Sequence, residues 1–74
     1  MSYFKYRLPS GILNGVVIMF NGIKGHGVIR ENSGAEFPFS MESVLCRRIE
    51  TGCRVTFRQG VDRNRPAATM INKY

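Results

Sequence analysis

Seventy-four residues leave room for one domain with a single modest core, and a formal charge of +6 with a sequence pI of about 10.0 points to polyanionic partners, nucleic acid first. No apolar run approaches the roughly 18 residues that a membrane-crossing helix needs, and Met1 to Leu13 lacks the long apolar centre of a signal peptide, so no membrane partner and a cytoplasmic location are expected. His26 is the single histidine, and Cys46 and Cys53 are the only thiols, so a four-ligand zinc site of ordinary spacing is excluded; free, partly buried thiols and no cofactor are expected.

In chain order, residues 1–12 form an N-terminal arm ahead of a domain at 13–74. The arm's Tyr3-Phe4-Lys5-Tyr6-Arg7 alternation is amphipathic and β-like, suited to lying along a sheet edge or to pairing with a second copy in a homodimer; a frayed tail is the other reading. A first strand is expected from Leu13 to Asn21 and a second from His26 to Glu31, joined by glycine-rich residues typical of a tight antiparallel connection. Gly25 and Gly27 bracket His26, which predicts open space over its ring. Asn32-Ser33-Gly34 makes the next turn and Ala35 to Phe39 the third strand. Pro38 there must sit at a bulge, an end or an edge, because it has no N–H for the ladder.

From Ser40, as N-cap, the apolar residues Met41, Val44, Leu45 and Ile49 recur at spacings near 3 and 4, which predicts a short helix or helical turn. In the following strand Val55 and Phe57 share the core face, while Arg54 and Arg58 face water or ligand. Gly60 to Arg65 reads as a polar, basic loop and Pro66 to Asn72 as the last strand. Val17, Ile29, Phe37, Val55, Phe57 and Ile71 are the candidate core.

The order Gly15-x-Val17, then Phe20-Asn21-x-x-Lys24-Gly25-x-Gly27-x-Ile29, resembles the opening hairpin of the bacterial cold-shock domain. Glu50, Gly52, Val55 and Phe57 resemble the entry to that family's fourth strand, and Pro66, Ala68 and Ile71 its closing strand. The resemblance covers Leu13 to Asn72 and leaves the arm outside it. It implies an all-β, five-stranded antiparallel OB-type β-barrel with a short helical turn between strands 3 and 4. It also implies a single-stranded RNA- or DNA-binding protein of RNA-chaperone type, in which unpaired bases stack on rings displayed by the first three strands.

Carried over position by position, the binding face comprises Met19, Phe20, Lys24, His26, Val28 and Phe39. Arg58 and Arg65, from an arginine-rich second half, are expected to pair with phosphates. Only Phe20 and Phe39 keep the family's rings. Met19 stands in place of a tryptophan, His26 and Val28 in place of phenylalanines, and Glu36 and Pro38 in place of a phenylalanine and a histidine. A stacked ring contributes about 1–3 kcal/mol, so the expected binding is weaker and more electrostatic than the family norm. Glu36, if exposed, would also repel phosphate.

The alternative is a cold-shock-like OB module that has lost nucleic-acid binding and serves protein interaction or dimerisation through Ile18, Met19, Ile23 and Val28. Catalysis is not expected: one histidine has no nucleophile beside it in sequence, and the five acidic residues are scattered singly.

Overall fold

A computed structural model describes residues 11–74; the readings of the arm's Tyr3 to Arg7 fall on residues 1–10, outside the described residues. Among the described residues five strands follow one another: β1 (Leu13–Asn21), β2 (His26–Glu31), β3 (Glu36–Ser40), β4 (Arg54–Asp62) and β5 (Arg65–Lys73), with a 3-10 turn at Met41–Ser43. They form a single antiparallel sheet in the order β3-β2-β1-β4-β5. The sheet curls until its two ends meet, where Val44 bridges Ile71 in parallel and the Leu45 N–H donates to the Ile71 carbonyl at 2.7 Å. The result is the all-β OB-type barrel expected. Among the described residues no helix is long and apolar enough to cross a membrane.

Alternation along the strands sets the core. Val17, Ile29 and Phe37 stand side by side on β1, β2 and β3, and Val55, Phe57 and Ile71 close over them from β4 and β5. All six are buried, as the period-2 pattern predicts. Phe37 and Phe57 meet at 5.3 Å between ring centroids with their planes 59° apart, a tilted arrangement that aromatic pairs favour. Cys46 and Cys53 are free, half-buried thiols; both pack against this core.

The β1–β2 register slips between Val17 and Met19, leaving Ile18 as the extra residue of a bulge. The slip turns Met19 outward beside Val28, and it brings Phe20 into line with Gly27 and Phe39 on the inner side.

Pro38 lies exposed on β3, an edge strand paired only with β2 apart from the barrel closure, which is where its missing N–H costs least. β3 itself begins at Glu36, one residue later than expected.

Two connections differ from the sequence expectation. The helical spacing after Ser40 yields only the single 3-10 turn; Ser40 stays extended and its side chain makes no capping bond. Val44 and Leu45 are drawn instead into pairing with Ile71, so long-range ladder bonds outweigh local periodicity. Gly60 to Asp62 are strand rather than loop. β4 and β5 join through Arg63 (φ 53°) and Asn64 (φ 65°), two successive left-handed residues that match the twist of a two-residue hairpin. Arginine is an unusual occupant of the first position, and so the turn carries no Asn-Gly or Asp-Gly signal.

Candidate nucleic-acid interface

Three cross-strand rows make up the outward face of β1, β2 and β3. The first is Asn21–His26–Ser40, the second Met19–Val28–Pro38, and the third Val16–Arg30–Glu36. The middle row is apolar: Met19 is 44% exposed, Val28 is half-buried and Pro38 is exposed. His26 projects from the first row into solvent.

In the third row the Arg30 guanidinium donates to Glu36 Oε2 from Nη2 at 2.9 Å and from Nε at 3.3 Å. The carboxylate expected to repel phosphate is thus already paired, and the same contact occupies the arginine.

Lys24 is positioned by its own loop. The Asn21 side-chain oxygen accepts the N–H groups of Ile23 and Lys24, both at 3.0 Å, and the Gly25 N–H donates to the Asn21 carbonyl at 2.8 Å. Gly25 takes φ 76°, a left-handed conformation that glycine adopts without Cβ strain. The Met41 N–H then donates to the Gly25 carbonyl at 2.8 Å and ties the 3-10 turn to the loop. The role of Asn21 was legible in principle, because a short amide side chain two and three residues ahead of free N–H groups is an Asx turn.

Lys24 also lines a groove of about 570 Å³ bounded by the β1–β2 loop, the 3-10 turn with Ser40 and Met41, and the β4–β5 hairpin with Asp62 and Arg63. Arg63, not Arg65, is the hairpin arginine on this groove; Arg65 sits at the start of β5 opposite Asp62. Arg58 lies exposed on the outer side of β4, where its carbonyl accepts the Thr69 hydroxyl at 3.2 Å.

The two retained phenylalanines fare differently from the expectation. Phe39 is only 4% exposed and belongs to the core, so its face is not a free stacking surface. Phe20 is half-buried with its ring stacked on that of Phe39. The space above Gly27 is likewise not open toward His26: Gly27 faces inward, and the Phe39 ring fills its place. The bulge at Ile18 accounts for Phe20, since a strand without a bulge would carry Met19 inward and Phe20 outward. Phe39 and Gly27 face inward by simple alternation with Phe37 on β3 and Ile29 on β2.

The structure therefore brings Met19, His26 and Val28 to one surface, sets Lys24 in the loop at its end on the groove, leaves Phe20 and Phe39 behind the surface, and places Arg58 and Arg65 on β4 and β5. Among the described residues no group of three or more His, Cys, Asp or Glu side chains comes together as a metal cluster would.

Comparison with known proteins bears on the fold. No family model matches the sequence, and no curated protein matches it. Among solved structures the chain is similar to that of Drosophila Unr CSD456, a cold-shock-domain protein, with a TM-score of 0.75 at 19% identity. The match covers 100% of this chain and 31% of the Unr chain, so this chain spans about a third of that structure's length. At this identity the likeness establishes a cold-shock-like fold.

Proposed function

We propose that this chain binds single-stranded RNA or DNA on the outward face of β1 to β3, as a cytoplasmic binding protein of RNA-chaperone type rather than a catalyst. The observation that carries the reading is the placement of Lys24, fixed by the Asn21 turn, at the end of a face whose exposed His26 and apolar Met19 and Val28 can meet bases. A charge of +6 supplies the long-range attraction. With Phe39 in the core and no exposed phenylalanine in the three outward rows, phosphate contacts provide most of the affinity.

Titrating heptathymidine and heptauridine against the protein at several salt concentrations tests this. The logarithm of the binding constant is expected to fall with the logarithm of salt by about 0.7 for each phosphate neutralised. Tight binding that salt does not weaken would contradict an electrostatic mode.

A second reading has its own support. Ile23 is 97% exposed at the loop tip and Met19 is 44% exposed, two apolar side chains of the kind a protein partner covers. Absence of oligonucleotide binding together with concentration-dependent self-association would favour it.

A further inference from the structure

Of the Phe and Tyr rings among the described residues, Phe37, Phe39 and Phe57 are buried and Phe20 is half-buried; Tyr74 is 72% exposed. Its backbone is anchored and its ring lies beside a guanidinium. The Tyr74 N–H donates to the Arg54 carbonyl at 2.9 Å, and the Arg54 guanidinium carbon lies 6.0 Å from the ring centroid, within cation–π range.

Beside the pair is an open cavity of about 120 Å³, whose walls include Asn14, Gly15, Val16 and Asn32. This is small for a drug-sized ligand and suits a single planar ring. Its chemistry is mixed in a way that suits a heterocycle. The Asn14 and Asn32 amides each offer a donor and an acceptor to a base edge. Their backbones are held side by side, because the Asn32 backbone N–H donates to the Asn14 backbone carbonyl at 3.0 Å. Gly15 lets β1 and β2 approach closely beneath this wall: a Cβ there would point inward and lie 2.8 Å from the Ile29 side chain and 2.5 Å from the Arg30 carbonyl oxygen.

We infer that Tyr74, Arg54, Asn14 and Asn32 form a base-stacking subsite on the β1–β4 side of the barrel, which takes one unpaired nucleobase of a bound single strand. Tyr74 offers the ring face, Arg54 pairs with the adjoining phosphate, and the two amides meet the base edge. The subsite is continuous with the proposed interface: Val16 lines the cavity and also stands between Arg54 on β4 and Arg30 on β2 in the outward row. A strand lying across β1 to β3 can therefore extend onto it, and Tyr74 adds an exposed six-membered ring to a face whose exposed aromatic ring is His26.

This inference rests on the single-strand binding reading, and the test separates the two. Heptathymidine affinity is measured for wild type, Tyr74→Ala, Tyr74→Phe and Lys24→Ala, with the fold of each checked by circular dichroism. Tyr74→Ala should weaken binding about fivefold or more, the lower end of what one stacked base contributes. Tyr74→Phe, which keeps the ring, should restore it to within about twofold of wild type. In the wild type, the side-chain amide resonances of Asn14 and Asn32 should shift on adding the oligonucleotide. If Tyr74→Ala binds as wild type does while Lys24→Ala is weakened, the subsite falls and the binding reading stands. If wild type binds no oligonucleotide, both fall.

Discussion

Phe20 and Phe39 lie ring over ring, 4° from parallel with centroids 6.2 Å apart, flanking Gly27 on the strand between them. The glycine makes this pair possible. A Cβ at position 27 would meet the Phe39 ring at 2.8 and 2.9 Å and run into the Met19 carbonyl oxygen. Neither the ring, which sits in the core, nor the carbonyl, which is backbone, can yield cheaply. Gly27→Ala is expected to destabilise the fold by about 1–3 kcal/mol, the usual range for overpacking. Urea unfolding measures it, and an unchanged midpoint would show that the pair has room to separate.

Met70 carries a different strain. On β5 it takes φ 49°, where the strand opposes Met70 and Ile71 to the single residue Phe57. A left-handed conformation costs an ordinary L-residue about 1–2 kcal/mol, whereas glycine adopts it freely but loses more chain entropy on folding. Since Met70 is 53% exposed, little packing is lost by removing its side chain. Met70→Gly should therefore stabilise the protein by roughly 0.5–1 kcal/mol, the strain relieved less the entropy lost. Met70→Ala, which keeps the Cβ, should not. A lower urea midpoint for the glycine variant would mean that the bulge is held by side-chain contacts.

Glu36 tests the electrostatic account of the interface. Its carboxylate holds Arg30 at 2.9 Å on the outward face, with both side chains about half exposed. An exposed pair of this kind contributes less than about 1 kcal/mol to stability, so Glu36→Gln should leave the fold intact while releasing a cation. Oligonucleotide affinity should then rise, with the salt dependence steeper by about 0.7 if Arg30 takes up one phosphate. Equal salt slopes for the two proteins would place Arg30 outside the strand's path.

The barrel was largely legible in the sequence because its causes are local. Val55 and Phe57 alternate with the polar Arg54, Thr56 and Arg58, and Asn32-Ser33-Gly34 places a glycine where the chain needs φ 107°. What the sequence hid depends on register. The bulge at Ile18 decides that Met19 faces out and Phe20 faces in, and no pattern in Val16 to Phe20 distinguishes a bulged strand from a regular one. The Arg30–Glu36 pairing was hidden in the same way, since it requires knowing which residues stand opposite one another, whereas the burial of Phe39 follows from its sharing a face with Phe37 two residues earlier. Tyr74 is not legible in the sequence as a site residue because its contact with Arg54 joins positions twenty residues apart, through β4 and β5 pairing.

His26 offers the most direct test of whether bases touch the outward face. It projects from β2 between Asn21 and Ser40, in the row next to the apolar Met19–Val28–Pro38 strip, and its ring is exposed. An imidazole can stack on a base, but a phenyl ring offers a larger apolar face, and stacking on an aromatic side chain is worth about 1–3 kcal/mol per base. Only part of that separates the two rings, so His26→Phe should raise affinity for heptathymidine roughly threefold to tenfold. Because no phosphate contact changes, affinities of both proteins should fall in parallel as salt is added. Val28→Phe, in the adjacent row, should act in the same direction. If neither ring raises the affinity while Lys24→Ala still lowers it, the strand follows the Lys24 and Arg63 groove without lying on the sheet.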